Sequence, residues 1–338
     1  MNNLPAELYY YWADVNNPED LRVISIFLNK HYNMNKKFHL DITPDFLAWH
    51  YSNNSKLLTV RLKKNNVIIG FIGGSGSSMQ FYRDNKKVIN CSYFTVNYKY
   101  KKITKFLLKE FKEKCGCDFE YGYYLRNKIL SKEFFSSVQT YRRVINLKRL
   151  LSSGYTKIEG DKNSVNLDEY TKQLRLKNNV DPNIRLSRPD DLERLYELYN
   201  NYTSRYNMYD ILTVDEFKKK FMNDFVKTYV VMEDDLVVDF VSLFFMKEHE
   251  NNNHDNYINR AVLLFYTSIS ETPYKLLDTA LIIAKNNKSD IFIAYDNLEN
   301  HVIIKDMNFD VGEKLYLSSY NFKPKNMNNT QIASLVYF

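Results

Sequence analysis

The residues best able to do chemistry in this chain are three cysteines, six histidines, one glycine-rich stretch and one lysine-rich stretch. Cys115 and Cys117 are separated by one glycine, whereas redox pairs usually have two residues between the cysteines. A redox pair and a helix end with two small thiols both fit, and the spacing favours the second. No metal-binding spacing occurs among the histidines, because His249 and His254 fall in the Asn-rich stretch 248–256, which we predict to be a solvated loop.

Two stretches invite a search for phosphate-binding loops. Residues 73–76, Gly-Gly-Ser-Gly, follow a predicted strand, but no lysine or helix follows them, so we predict a loop at a strand end rather than a P-loop. Residues 99–102, Lys-Tyr-Lys-Lys, stand between the apolar stretch 91–96 and a helix predicted to begin near Thr104. A strand that leads through a basic loop into a helix offers N–H groups and positive charge to a pyrophosphate. Solvated surface lysines explain the run equally well.

The elements that would position these residues occur twice, in the same order. Amphipathic helices follow from apolar residues at helical spacing, and hairpins from β-branched runs around a short polar turn. The matched segments, each repeated about 170 residues later, are helices at 20–29 and 191–200, helix starts at Thr43 and Thr213, hairpins at 59–71 and 229–240, helices at 107–111 and 276–284, and strands at 119–121 and 292–294. We therefore predict two similar halves, 1–151 and 184–338, joined by a polar connector at 152–183 with a helix around 167–176.

Composition limits the classes of function. With 47 Lys+Arg against 40 Asp+Glu the net charge is +7, and this excess is spread along the chain, so nucleic acid binding is not indicated. An odd count of three cysteines fits a reducing compartment. No signal-peptide pattern precedes Leu4, and the longest apolar run, 236–246, is too short to span a bilayer. We expect a cytoplasmic protein without a transmembrane segment.

Several motifs in fixed order resemble the N-myristoyltransferase family. In the first half they are Leu4-Pro5, Leu28-Asn29-x-His31-Tyr32, and the runs 38–49 and 68–72. In the second half they are the runs 228–231, 238–242, 265–266, 272–273, 280–285, 292–296, 320–321 and 334–338. The resemblance extends from Leu4 to Phe338.

This resemblance implies an α/β (α+β) fold, with two fused acyl-CoA N-acyltransferase (GNAT)-like halves related by a pseudo-twofold axis around a mixed, twisted sheet. It implies a glycylpeptide N-tetradecanoyltransferase, an acyltransferase that moves myristate from myristoyl-CoA to the N-terminal glycine amine of peptides or proteins. Myristoyl-CoA is then a co-substrate, and no prosthetic group or metal is required. The first half would bind the acyl-CoA, while the second would contribute to peptide binding and return its tail to the active site.

The resemblance also implies roles for particular residues. The backbone amides of Tyr93 and Phe94 would stabilise the oxyanion, and the α-carboxylate of Phe338 would act as general base. The residues implied to bind CoA are Thr95, Val96, Lys99, Tyr100, Lys101, Lys102, Ile103, Thr104 and Lys105. Those implied to bind the peptide are Tyr32, Phe38, Leu40, Tyr141, Asn146, Asp239 and Asp296.

The acceptor side departs from the family more than the donor side does. The family's acidic patch becomes Asn-Met-Asn at 33–35, its Thr-Ala-Gly stretch aligns with 125–127, and a peptide-contacting histidine becomes Arg142. Two alternatives therefore stay open beside myristoyl transfer. One is an acyltransferase of the same fold with a different acyl or acceptor preference, and the other is a non-catalytic relative that binds acyl-CoA or peptide.

Overall fold

The computed structural model describes residues 4–32, 36–51, 54–125, 134–156, 171–172, 174–251, 253–320 and 325–334. The helices in these ranges are α1 (Pro18–His31), α2 (Pro44–His50), α3 (Thr104–Lys114), α4 (Leu147–Ser152), α5 (Leu192–Thr203), α6 (Val214–Phe221), α7 (Pro273–Asn286) and α8 (Asn300–Ile303). The strands are β1 (Leu8–Ala13), β2 (Phe38–Leu40), β3 (Lys56–Leu62), β4 (Ile68–Phe81), β5 (Asp84–Val96), β6 (Phe119–Leu125), β7 (Phe134–Val144), β8 (Ile184–Leu186), β9 (Met208–Ile211), β10 (Val226–Glu233), β11 (Leu236–Glu250), β12 (Asn253–Tyr266), β13 (Ile291–Tyr295) and β14 (Asp310–Tyr320).

The helix starts follow from local capping chemistry. The hydroxyl of Thr43 accepts the backbone N–H of Phe46 at the start of α2. The hydroxyl of Thr213 accepts the backbone N–H of Glu216 at the start of α6, and the Glu216 carboxylate in turn accepts the backbone N–H of Thr213. Each cap satisfies N–H groups that a helix start leaves unpaired. The repeated helices, hairpins and strands expected from the sequence are confirmed.

One mixed sheet runs through the molecule, with the strand order β1-β3-β4-β5-β6-β14-β7-β13-β12-β11-β10-β8. The order is nearly a mirror image of itself. The antiparallel hairpins β3–β4 and β10–β11 lie in matching places, and so do the parallel pairs β5–β6 and β12–β13. This topology is the doubled arrangement that the repeated sequence elements predict.

At the centre of the sheet the two halves exchange their last strands. β14 pairs with β6 and β7, and β7 pairs with β13 and β14. β2 also crosses over, because it pairs with the far end of β11. The halves are therefore held together by backbone hydrogen bonds as well as by side-chain packing. The boundaries of the halves, 1–151 and 184–338, stay a prediction.

The apolar core follows the same division. One cluster lies in the second half, where Tyr199 of α5 and Phe217 of α6 are buried together with Phe240 of β11. Another spans both halves, because Phe46 and Tyr93 pack in it together with residues of β11, β12 and β13. In a third cluster, the apolar face of α3 packs against β3, β4 and β5. The spanning cluster lies beneath the candidate site.

Three local predictions are wrong or lie partly outside the described residues. Residues 73–76 lie inside β4 and not in a loop. The three glycines among them admit close neighbours, since a Cβ at Gly73 would lie 2.1 Å from Oη of Tyr51. His249 and His254 stand in paired strands at the tip of the β11–β12 hairpin, not in a loop. The connector helix at 167–176 falls largely outside the described residues; positions 171–172 are helical, as predicted, whereas 174–176 are not.

Candidate active site

The backbone of Tyr93 and Phe94 lies at a break in the β4–β5 ladder. The register shifts by one residue between Phe71 and Gly73 on β4. Two successive residues of β5, Tyr93 and Phe94, therefore face one residue of β4, which is a β-bulge. Tyr93 has a φ of 54°, in the left-handed region, which costs a residue with a side chain about 1–2 kcal/mol. The fold holds strained backbone at the position where the resemblance places the oxyanion donors.

On its other edge, β5 loses its neighbouring strand just before the bulge. β5 and β6 run parallel but pair only from Val88 to Asn90. Beyond Asn90 that edge of β5 has no strand partner in the part of the chain that the structure describes. Backbone groups beside such an opening can donate to a ligand without leaving the sheet.

Aromatic and polar side chains enclose Tyr93. Its ring lies 5.2 Å from the ring of Tyr32 at the end of α1 and 5.2 Å from that of His50 at the end of α2. Nε2 of His50 lies 2.9 Å from Oγ of Ser92, and Oη of Tyr51 lies 3.1 Å from the same oxygen. Burial lowers the pKa of His50 to about 3, so its ring is neutral at physiological pH.

After Val96 the chain turns into a basic helix start. The side chain of Asn97 accepts the N–H of Lys99 and opens a 3-10 turn over Tyr98–Ile103, from which α3 continues. Ile103 is buried and anchors the turn, whereas four lysines around it are exposed: Lys99, Lys101, Lys102 and Lys105. In the described ranges no carboxylate lies within ion-pair distance of these four lysines.

This charge arrangement is unfavourable without a ligand. The first turn of α3 contains no acidic residue, and no side chain caps its start. Lysine ammonium groups are destabilised near the N-terminus of a helix, because that end carries a partial positive charge. An anion bound there is stabilised by the lysines and by the helix dipole. Of the two sequence interpretations, the helix start favours an anion site over a solvated loop.

Comparison with known protein families gives two matches that together cover most of the chain. Residues 1–124 match the N-terminal domain model of myristoyl-CoA:protein N-myristoyltransferase, and residues 154–335 match the C-terminal domain model. The chain belongs to the myristoyl-CoA:protein N-myristoyltransferase family. The family predicted from the sequence motifs, and with it an acyltransferase, is confirmed.

Curated N-myristoyltransferases are similar along nearly the whole chain. The glycylpeptide N-tetradecanoyltransferase 2 of Bos taurus is 24% identical in an alignment 336 positions long, which covers 95% of this chain and 67% of that protein. The glycylpeptide N-tetradecanoyltransferase of Plasmodium falciparum is 23% identical in an alignment 341 positions long, which covers 95% of this chain and 80% of that protein. Most positions differ between these proteins and this chain, so the role of each site residue depends on the contacts that it makes here.

Solved structures show the same fold. The N-myristoyltransferase of Saccharomyces cerevisiae with bound myristoyl-CoA superposes with a TM-score of 0.85 at 20% identity, over 97% of this chain and 86% of that one. A GCN5-related N-acetyltransferase of Anabaena variabilis superposes with a TM-score of 0.55 at 8% identity, over 92% and 72%. The predicted α/β fold of two GNAT-like halves around a mixed, twisted sheet is confirmed.

The structure brings two of the implied peptide-binding residues together. Tyr141 on β7 and Asp296 at the end of β13 line one polar groove, with Gln139, Lys314 and residues 326–329. Oδ1 of Asp296 accepts the backbone N–H of Gln139 at 2.7 Å. Burial raises the pKa of the Asp296 carboxyl, and burial together with that carboxylate raises the pKa of Tyr141.

Two other implied residues lie on β2, which joins the halves, and a third lies beside the bulge. Phe38 and Leu40 belong to β2 and pair with Glu250 and Glu248 of β11. Phe38 is buried and packs edge-on against Tyr155 with ring centroids 5.2 Å apart. Tyr32 contacts Tyr93, as described above, so it is the implied peptide residue that the structure places against the bulge.

Asn146 and Asp239 have contacts of another kind. Asn146 caps α4, because its side chain accepts the N–H of Arg149 and donates to Oδ1 of Asp290. Asp239 is fully buried, and its carboxylate accepts three backbone N–H groups of the loop 269–271, each at 2.8 Å. A peptide could reach this carboxylate only by displacing those donors. The contacts indicate that both side chains position loops.

Phe338 lies outside the described residues, as do positions 33–35 and 126–127, where the acceptor side departs from the family. The chain can be followed to Ser334. Ile332 and Ala333 are buried, and the N–H of Ala333 donates to the carbonyl of Met208 at 2.8 Å. Residues 332–334 therefore lie in the interior, next to β9, the strand that pairs with the far end of β4.

Sequence reasoning missed the polar contacts beside the bulge. His50 and Ser92 are 42 positions apart, and neither belongs to a nucleophile motif, so no local pattern joins them. The buried donors Nε1 of Trp49 and Nδ2 of Asn90 also went unnoticed; they line a cavity between the halves and have no hydrogen-bond partner among the described residues. Only the packing of α2 on β5 assembles these groups.

No helix in the described ranges is long and apolar enough to cross a membrane.

Proposed function

We propose that this chain transfers the myristoyl group of myristoyl-CoA to the N-terminal glycine amine of a peptide or protein. The observation that carries the proposal is the course of β5. A single strand contains the bulge at Tyr93 and Phe94 and, directly after Val96, leads into the lysine-rich start of α3. A thioester joined to a phosphate-bearing carrier needs these two features on one segment.

The donor half of the reaction follows from these groups. The phosphates of CoA would bind at Lys99, Lys101, Lys102 and Lys105, on the N–H groups of the 3-10 turn. The thioester carbonyl would then accept hydrogen bonds from the amides of Tyr93 and Phe94. Because charge grows on that oxygen as the amine attacks, each donor contributes more in the transition state than in the ground state, by about 2.7–4 kcal/mol.

The acceptor half needs a base for the glycine ammonium. We assign this role to the α-carboxylate of Phe338, which is ionised at neutral pH because such groups have pKa values of about 3.3–3.7. The inward course of the chain at Ile332–Ser334 supports the assignment. Four further residues can extend at most about 14 Å. Ile332 packs in one cluster with Tyr121 and Val88, and Tyr121 pairs with Asn90, three residues before Tyr93.

We place the acceptor peptide in the groove between the halves. Tyr32 beside the bulge, Phe38 and Leu40 on β2, and Tyr141 with Asp296 on the central strands would contact it. Asn146 and Asp239 would act indirectly, by holding loops. A peptide lying across such residues forms hydrogen bonds with the polar side chains and buries apolar surface against the aromatic rings.

A direct assay decides among the three functions that the sequence left open. The protein is mixed with a series of acyl-CoAs of different length and with peptides that begin with a free or an acetylated glycine, and product masses are measured. We expect transfer to the free amine, highest for the myristoyl donor. A maximum at another length supports a different acyl preference, because each buried methylene contributes about 0.8 kcal/mol. Tight acyl-CoA binding with no product for any peptide contradicts catalysis.

The phosphate assignment has a matched control on the same helix. Replacing Lys101 and Lys102 by Gln should weaken myristoyl-CoA binding about tenfold at low salt and reduce its salt dependence, because exposed charges are screened. Lys109, exposed farther along α3 and paired with Glu113, serves as control, and K109Q should leave the Kd unchanged. An equal loss in both variants would contradict the assignment.

The base assignment is tested at the end of the chain. Adding one alanine after Phe338 moves the carboxylate away and should lower kcat about 100-fold or more, while the Kd for myristoyl-CoA stays the same. F338L keeps a terminal carboxylate and should retain most activity. Full activity of the extended protein would remove Phe338 from the mechanism and leave the donor half intact.

A further inference from the structure

All three cysteines of the chain gather at the end of α3, around one buried carboxyl group. Sγ of Cys115 lies 3.2 Å from Sγ of Cys117 and 3.2 Å from Oε1 of Glu120. Cys91, on β5, packs in the same apolar cluster as Cys115. The proposed acyl transfer uses none of these groups.

The turn after α3 brings the two thiols together. α3 ends at Lys114, Cys115 follows as its C-cap, and Gly116 has a φ of 69°. This left-handed conformation is open to glycine at no steric cost, and it turns the chain so that Cys117 returns to Cys115. A disulfide has an S–S length of about 2.05 Å. The two side chains need to approach by roughly 1 Å, and the thiols are reduced in this structure.

The surroundings prepare one sulfur for attack. A hydrogen bond from the thiol of Cys117, opposed in part by burial, lowers the pKa of Cys115 to about 6, and the pKa of Cys117 rises correspondingly. Burial and the neighbouring Cys115 raise the pKa of Glu120 to about 8. As a neutral thiol, Cys115 donates to Oε1 of Glu120. Near neutral pH these two pKa values place the proton on the Glu120 carboxyl instead, so that Cys115 is a thiolate that accepts from that carboxyl and from the Cys117 thiol. Cys115 is buried, but Cys117 is partly exposed and opens the pair to a small oxidant.

We propose that Cys115 and Cys117 are a reversible dithiol that hydroperoxides oxidise to an intrachain disulfide. The Cys115 thiolate attacks the terminal oxygen of the hydroperoxide, the O–O bond breaks, and the alkoxide or hydroxide leaves with a proton as alcohol or water. The sulfenic acid formed on Cys115 is then attacked by the sulfur of Cys117, which loses its proton, and water leaves as the S–S bond forms. Overall, two thiols are oxidised by two electrons and one peroxide is reduced. An added dithiol reduces the disulfide back to the two thiols and is itself oxidised to a disulfide.

Intact mass measured with the full-length reduced protein tests this proposal. After treatment with hydrogen peroxide we expect the loss of two hydrogen atoms, with Cys115 and Cys117 both protected from alkylation and Cys91 still free. Dithiothreitol should restore the original mass. Three alkylatable thiols after a treatment that oxidises a low-pKa thiol standard would overturn the proposal, and so would a disulfide that includes Cys91.

Three serine variants assign the order of the steps. C91S should form the disulfide as the natural chain does, because its sulfur takes no part. C117S should trap a sulfenic acid on Cys115 that dimedone labels, at a rate about tenfold above that of Cys117 in C115S at neutral pH. Faster labelling of Cys117 in C115S would overturn the assignment of Cys115 as the attacking sulfur. The measurement on the natural sequence stands even if a variant fails to fold. Neither result depends on acyl transfer, which is assayed separately.

Discussion

The two halves build the same crossover from strand to helix and complete it differently. In the first half β5 leads to α3, and in the second β12 leads to α7, each after a one-residue shift in the preceding ladder. The loop before α7 is closed from within, because the Asp239 carboxylate accepts three of its N–H groups and the Thr272 hydroxyl caps the helix. The start of α3 has four exposed lysines and no side-chain cap.

One residue marks this difference in the hairpins. In β10–β11 the pair before the bulge is Val231 with Asp239, and in β3–β4 it is Val60 with Gly70. The second half therefore supplies its own anion where the first half has no side chain. One of the two equivalent loops is therefore closed by the protein's own carboxylate. The start of α3 has no such carboxylate in its first turn, as the proposed phosphate site requires.

The largest effect should follow from opening the closed loop. Asp239→Asn leaves at most one accepting oxygen for three partly buried N–H groups, and each unpaired donor costs about 1–3 kcal/mol. We expect the free energy of unfolding to fall by about 3 kcal/mol in urea titration, with acyl-CoA binding by the folded protein unchanged. Asp224→Asn, at an exposed carboxylate, should change neither quantity. Unaltered stability of Asp239→Asn would mean that the loop does not depend on this anion.

The converse change should close the open site. Gly70→Asp places a carboxylate near Ile103 and Leu107, which a Cβ at this position would approach to 2.9 and 3.3 Å. We expect the Kd for myristoyl-CoA to rise about 100-fold, or about 2.7 kcal/mol, as measured by titration calorimetry. Gly70→Asn has the same shape without the charge and should lose about tenfold less affinity. Equal losses in the two variants would show that crowding, and not a competing anion, explains the effect.

A smaller effect, on the pH dependence of stability, distinguishes His50 at the end of α2 from Phe221 at the end of α6. Phe221 cannot titrate, whereas His50 is buried with a pKa of about 3, below the value of about 6.5 for an unfolded histidine. As the pH falls below 6.5 the unfolded chain takes up this proton and the folded chain does not, so stability falls toward pH 3. The His50 contribution to that fall should approach 1.4 kcal/mol per pH unit, or roughly 2 kcal/mol by pH 5.

Urea midpoints of His50→Gln between pH 7 and pH 5 measure this contribution. Its stability should fall less steeply than that of the natural chain, while His301→Gln, at an exposed histidine, should keep the natural slope. Parallel curves for His50→Gln and the natural chain would show that His50 takes up its proton in the folded state.

The sequence predicted most of the fold because the relevant signals are local. Thr43 and Thr213 cap helices through N–H groups three residues away. The two apolar runs in 59–71, separated by a short polar turn, predict two strands that pair with each other. The lysine run was located correctly between a strand and a helix for the same reason. The strand that contains residues 73–76 was missed, since glycine has weak strand preference and only the close approach of Tyr51 and Ile89 explains its use there.

The amino-acid sequence by itself determined the element order, its duplication, the family and the basic loop, because periodicity, capping and turn chemistry act over a few residues. Tertiary structure alone decided the exchange of β7 and β14, the contact of His50 with Ser92, and the closure of the loop 269–271 by Asp239. These pairs are far apart in the chain and meet only when the sheet is assembled. Their energies depend on burial and distance, which no local pattern encodes.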